Sequence, residues 1–257
     1  MMIKRELELF LLSLTFFTRL PISVNLEYTD EKLSKSTKYF SLIGILVGGV
    51  SALVYWSFSF LFPKEIAVLV SMVSTVLLTG AFHEDGLADV CDGFGGGWTK
   101  ERILTIMKDS RIGTFGFVGL FLTMLLKFYS LLMIDETVIL QAMVFSHAAS
   151  RFVASTFLHT HEYARIDQEI GKAKPIAQHP LSVFDWMLLI VMVAIVAFFF
   201  PSILLAFSIV LAFVFKYFFG RFMQKWVGGY TGDCLGATQQ ISEVLIYMSI
   251  LAIWKFI

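Results

Sequence analysis

The chain is 257 residues long, 57% hydrophobic and only 16% charged, with 27 phenylalanines among its 16% aromatic residues. Twenty basic residues balance twenty acidic ones. A soluble domain has no interior large enough for this apolar surface, a disordered chain is far more polar, and a nucleic-acid binder carries a basic surplus. What remains is a polytopic helical membrane protein.

A spanning helix needs about 20 mostly apolar residues. Seven stretches fit: 39–62, 66–82, 113–134, 137–158, 181–200, 202–219 and 241–257. A shorter apolar helix over 6–20 precedes them, either lying at the interface or packed into the bundle. The stretch 7–20 is short, carries Arg19 and lacks a small-residue cleavage site, so no cleavable signal peptide is expected. The expected fold is therefore all-α: a polytopic integral membrane bundle of about seven transmembrane helices plus a short N-terminal helix, one domain over 1–257.

Basic residues concentrate in alternate connections. Lys32, Lys35 and Lys38 lie in the first, then Lys100, Arg102, Lys108 and Arg111, then Arg165, Lys172 and Lys174, then Lys216, Arg221 and Lys225. The intervening turns carry one base, Lys64. The excess of Lys and Arg places the long polar loops in the cytoplasm, so any chemistry is expected on the cytoplasmic face of the inner membrane. Cys91 and Cys234 lack the spacing of a disulfide framework or zinc site and read as small reduced side chains.

The densest polar cluster runs over 83–97. Asp85, Asp89 and Asp92 fall at i, i+4 and i+7, one face of a helix. Stacked carboxylates repel, and a cation relieves that cost; oxygen ligands suit Mg²⁺ or Mn²⁺, and Mg²⁺ shared with phosphates points to phosphoryl chemistry. Gly93, Gly95 and Gly96 follow, which would let backbone N–H groups approach a phosphate. A second cluster, 108–116, combines Lys108 and Arg111 as phosphate contacts with Asp109 as a further metal ligand and Ser110, Gly113 and Thr114 beside them. A third, 228–243, brings Thr231, Asp233 and Glu243 to the start of the last span. Asp233 reads as a metal ligand or as the general base that takes a hydroxyl proton. His147 and Arg151, at i and i+4 inside the fourth span, read equally as a structural pair or a phosphate contact.

These strings together resemble the adenosylcobinamide-GDP ribazoletransferase family, also called cobalamin synthase. The likeness is carried by Phe17-Thr18-Arg19-Leu20-Pro21, by 83–97, by 108–116 and by 229–236 with Glu243, and it covers essentially the whole chain. One departure is Glu84, where the family typically has Leu. The resemblance implies a Mg²⁺-dependent membrane enzyme of late cobalamin biosynthesis. It would transfer the cobinamide-phosphoryl group of adenosylcobinamide-GDP to a hydroxyl of α-ribazole or α-ribazole phosphate, releasing GMP. Expected partners are those substrates and the lipid bilayer, with no nucleic acid; homo-oligomerisation is left open. Expected substrate contacts are His83, Gly93, Gly95, Gly96, Ser110, Gly113, Thr114, Arg151 and Thr231; Lys108, Arg111 and Asp233 carry the catalysis; Asp85, Asp89, Asp92, Asp109 and Asp233 hold the metal. Two alternatives compete. A CDP-alcohol phosphotransferase would show Arg where Asp89 stands, and a cation-coupled transporter would place its acids near the bilayer midplane, often in paired repeats.

Overall fold

Each of the seven apolar segments folds as a helix. The structure, a computed structural model, describes residues 2–24, 26–164, 181–199 and 202–255. Arg165, Lys172 and Lys174 of the orientation argument, and the segment ends at 200 and 256–257, lie outside the described residues. In chain order the helices are α1 (Met2–Phe17), α2 (Asp30–Ser36), a 3₁₀ turn Thr37–Tyr39, α3 (Phe40–Ser59), α4 (Lys64–Thr79), α5 (Phe82–Gly96), α6 (Lys100–Met107), α7 (Thr114–Met133), α8 (Ile139–Ser155), α9 (Phe157–Thr160), α10 (Val183–Phe198), α11 (Ser202–Val227) and α12 (Gly232–Trp254). Among the described residues there is no strand, only an isolated Tyr163–Tyr230 bridge that ties the chain after α9 to the turn before α12. Side-chain oxygens start four of the helices: Thr29, Thr99, Ser182 and Thr231 each accept a backbone N–H of the first turn of α2, α6, α10 and α12.

Helical is not the same as spanning. By length and composition, Asp30–Ser59, Thr114–Met133 and Phe207–Val227 suit a bilayer crossing; a fourth arises if α4 and α5, bent by 89°, form one broken span. The expectation of about seven thus stands, among the described residues, at three to four by this measure. The reason is that an apolar stretch can face protein as well as lipid. α8 has 17 residues and is buried along most of its length, between α3, α10, α11 and α12. α12 is long enough, but its first half carries buried Thr238, Gln239, Gln240, Ser242 and Glu243. α7, by contrast, turns Phe117, Val118, Phe121, Leu122, Leu125 and Leu126 outward.

The tightest packing is α3 on α8. A Cβ on Gly44 would meet the His147 carbonyl oxygen and lie 2.7 Å from Ala148 Cα; one on Gly48 would lie 2.7 Å from Val144 Cα. Small residues let two helix backbones come this close. α5 is then set by a sharp break. α4 ends at Gly80 with φ +67°, and Ala81 follows at φ +57°, a conformation that costs a non-glycine residue of order 1 kcal/mol or more. Arg19 covers the break: its backbone N–H donates to Leu78 O at 2.7 Å, and its side chain fills the space where a Gly80 Cβ would stand. The 17–21 motif therefore buttresses the corner that turns α5 across the end of the bundle.

Gly44→Ala and Gly48→Ala should each lower the stability of the detergent-solubilised protein by about 1–3 kcal/mol, since the new methyl meets backbone rather than a mobile side chain. Gly49→Ala, whose Cβ would meet nothing within 4 Å, should be neutral or slightly stabilising. Thermal unfolding midpoints of the three variants check this; equal shifts at all three positions would contradict it.

Candidate active site

The break at Gly80–Ala81 brings the first turns of α5 against the start of α12. A Cβ on Gly86 would lie 3.0 Å from Asp233 Cα, and one on Gly236 would lie 3.3 Å from His83 Cα. Two acidic segments 148 positions apart in sequence, around Asp85 and Asp233, thus meet. The charges acting on half-buried Asp89 are those of Asp233, Asp85 and Asp92, all negative. The i, i+4, i+7 face expected from the sequence exists, and Asp233 faces it. Asp85 is exposed, while Asp89, Asp92 and Asp233 are partly buried. Among the described residues, no three His, Cys, Asp or Glu side chains converge into a ready-made metal cage. That arrangement does not fit a cation held by protein alone. It fits Mg²⁺, which is usually bound by one or two carboxylates, with waters and substrate phosphates completing the shell.

Asp92 has a further task that the spacing did not show. Its Oδ2 accepts the Gly113 N–H at 2.6 Å and its Oδ1 the Gly116 N–H at 2.8 Å. A carboxylate there satisfies unpaired donors at the start of α7 and meets the positive end of its dipole. Gly113 is thus engaged by Asp92, and Thr114 begins α7 beside it, exposed.

Two expectations are corrected. Gly93, Gly95 and Gly96 do not form a phosphate-cradling loop: they are the last turn of α5, so their N–H groups are used within the helix. They are small for packing, with Gly93 under Met107 and Ile103, Gly95 under the Phe115 ring and Gly96 near Ile106. Arg151 does not reach the carboxylate edge. It is 1% exposed inside α8, with Nη1 donating to the His147 carbonyl oxygen at 3.0 Å and its guanidinium 5.8 Å from the Phe40 ring centroid.

Lys108, Ser110 and Arg111 are exposed on the loop between α6 and α7. Arg111 forks onto its neighbour Asp109, with Nε to Oδ1 at 3.0 Å and Nη2 to Oδ2 at 2.6 Å. The guanidinium holds the Asp109 carboxyl well down, to about 2. Asp109 is not among the charges acting on Asp89, so the structure pairs it with Arg111 rather than with the acids of α5. Thr231 caps α12, accepting the Cys234 N–H at 3.2 Å, and its hydroxyl lies 3.4 Å from Asp233 Oδ2. His83 is buried and lines an apolar crevice beside Asp233, together with Phe17, Phe40, Phe82 and Leu235.

Beneath the acidic edge runs a buried polar network that the sequence reading did not assemble. Lys127 Nζ of α7 lies 2.6 Å from Glu243 Oε1, while Glu243 Oε2 accepts from Gln239 at 2.7 Å and lies 3.2 Å from His147 Nδ1. Gln240 links Gln239 to Glu84, donating to Glu84 Oε1 at 3.0 Å. Glu84, the departure from the family pattern, therefore turns inward and does not face solvent. Lys127 sits in the middle of an apolar run, and a lone cation there was the available signal: a membrane-depth charge calls for a partner, and Glu243 was the acid at matching depth.

Comparison with known proteins gives the family. Residues 9–251 match the family model described as cobalamin-5-phosphate synthase. The adenosylcobinamide-GDP ribazoletransferase of Shewanella amazonensis is 45% identical, covering 98% of this chain and 98% of its own. That of Shewanella frigidimarina is 43% identical over 97% of this chain and 96% of its own, and that of Vibrio parahaemolyticus 39% identical over 98% and 95%. No solved structure matches the chain.

Glu243→Leu should destabilise the protein by about 3–5 kcal/mol, because it strands the Lys127 ammonium in the interior. The double change Lys127→Met with Glu243→Leu should recover part of that loss, readable as a higher unfolding midpoint than the single variant. Asp109 offers a pH test. Its carboxyl is depressed in the folded protein, so the pair with Arg111 is present above the ordinary value of 3.8 and is lost only as pH falls through about 2. A carboxyl ¹³C titration should place Asp109 near 2 in the unaltered protein and near 3.8 in Arg111→Met.

Proposed function

This chain belongs to the cobalamin-5-phosphate synthase family, and from that membership we propose that it performs the transfer for which its relatives are named. It is a transferase. A hydroxyl oxygen of α-ribazole, or of α-ribazole phosphate, attacks the cobinamide-side phosphorus of adenosylcobinamide-GDP. A new P–O bond forms, the pyrophosphate P–O bond breaks, GMP leaves, and the hydroxyl proton passes to a base. Family membership sets aside the phospholipid synthase and transporter alternatives.

The observation that carries the chemical part of this reading is the meeting of Asp89 with Asp233, Asp85 and Asp92 across the Gly86–Asp233 approach. Such a concentration of negative charge disfavours a polyanionic pyrophosphate unless a cation is shared between them. Asp85, Asp89 and Asp233 would hold Mg²⁺ with the substrate's phosphate oxygens, and the ion would neutralise charge growing on the departing phosphate. Asp92 contributes mainly by fixing α7 and the loop before it. Lys108 and Arg111 on that loop bind nucleotide phosphates, Arg111 exchanging Asp109 for a phosphate as its bidentate partner. Asp233, beside the Thr231 hydroxyl, either completes the metal shell or accepts the ribazole proton. The Lys and Arg of the polar connections support a position of this edge at the cytoplasmic face of the inner membrane.

Purified full-length protein in lipid vesicles, given Mg²⁺, adenosylcobinamide-GDP and α-ribazole, should release GMP. Asp89→Asn should lower that rate at least ~10²-fold, the scale on which single electrostatic contributors act. Asp233→Asn should raise the Mg²⁺ requirement if Asp233 is a ligand, or lower turnover at unchanged Mg²⁺ dependence if it is the base. Near-normal turnover of Asp89→Asn at low Mg²⁺ would falsify the metal assignment.

A further inference from the structure

The crevice next to Asp233 has the character of a seat for a flat ring. Phe17 and Phe40 stack with centroids 4.3 Å apart, the His83 ring lies parallel to Phe40 at 5.9 Å, and Phe82 stands edge-on to His83 at 5.3 Å. An apolar crevice lies between these rings and Leu235 and Gly236 of α12. Aromatic walls of this kind favour stacked or edge-on aromatic guests.

The polar groups of the walls narrow the guest further. The Thr37 hydroxyl already donates to Ser34 O at 2.7 Å and the Ser155 hydroxyl to Phe152 O at 2.7 Å. His83 is 2% exposed, and its Nε2 has no hydrogen-bond partner in the protein. A buried polar atom without a partner is destabilising, so a guest that pairs with it is favoured over one that does not. A lipid acyl chain offers nothing to Nε2. A guanine edge carries several donors and acceptors, more than this wall can match. A benzimidazole riboside presents one free ring nitrogen and an otherwise apolar ring.

We propose that this crevice, between α1, α3, α5 and α12, seats the benzimidazole base of the acceptor, with His83 Nε2–H donating to its free ring nitrogen. The inference rests on the transferase reading above and says which substrate enters where. Its position suits the chemistry: the walls include Gly232 and Gly236, which bracket Asp233, and Phe82 and His83, which precede Asp85. A base held here directs its ribose hydroxyls toward the acidic edge, and the GDP donor approaches from the opposite side, the loop between α6 and α7. His83 is thus a binding residue for the acceptor alone.

The test uses the full chain in vesicles. His83→Phe keeps the ring and removes the hydrogen bond; Ser155→Leu fills the crevice. Each should raise the acceptor KM at least tenfold while the KM for adenosylcobinamide-GDP and the Mg²⁺ requirement stay unchanged. In the unaltered protein, the free base 5,6-dimethylbenzimidazole should compete with the acceptor and not with the donor, a result that does not depend on either variant folding. An unchanged acceptor KM in both variants, a donor KM that rises in step, or a base that competes with the donor overturns the proposal. So does a base that fails to compete at all. Equilibrium dialysis of the base separates the two levels of inference. His83-dependent binding by a protein that releases no GMP sustains the crevice assignment and sinks the transferase reading.

Discussion

The break after α4 is the constraint on which the site depends. Without the left-handed pair Gly80–Ala81, α4 would continue straight and carry Asp85, Asp89 and Asp92 onward instead of across the end of the bundle. Ala81 holds a conformation that an L-residue adopts at a cost, and such a residue persists only where its surroundings over-determine it. The surroundings here are Arg19 on Gly80 and the packing of α5 on α12. A motif near the N-terminus and a turn some sixty residues later therefore act as one corner piece.

From that corner the remaining contacts follow by size. Gly86 and Gly236 let α5 and α12 approach until backbone meets backbone, and Gly116 and Gly119 leave room on α7 for the side chains of Asp92 and Cys91. The glycines that a phosphate-binding reading singles out are instead packing residues, because a helix uses its own N–H groups internally. Asp92 shows the same economy of placement: one carboxylate belongs to the acidic face and also anchors the start of α7.

The acidic edge and the buried network below it carry opposite balances. At the edge, Asp85, Asp89, Asp92 and Asp233 gather like charge, which is stable only with a cation or water at hand. Inside, Lys127 pairs with Glu243, and Arg151 bonds to His147 within the charges of Glu243 and Glu84. The inner network crosses α5, α7, α8 and α12, and two of these helices, α5 and α12, present the acids of the edge. Removing a partner from it would disturb the geometry of the site without touching a substrate.

The sequence alone determined the all-helical class, the long apolar helices, the helical face of the three aspartates and the family. Those follow from short-range facts: hydropathy over about 20 residues, carboxylates at helical spacing, and strings such as Asp-Ser-Arg-Ile-Gly-Thr-Phe-Gly. It also identified Asp233 as an acid heading the last span. Only the tertiary structure decided which apolar helices face outward and which are enclosed, as with α7 and α8, because hydropathy does not tell lipid from protein. It decided that Glu84 turns inward to Gln240, that Lys127 meets Glu243, and that Asp109 belongs to Arg111 while Asp233 belongs to the acids of α5. Each of those pairings, except the local one at Asp109, joins residues more than a hundred positions apart. Spacing along one helix carries no information about them; the angle at Gly80–Ala81 and the close approach permitted by glycine do.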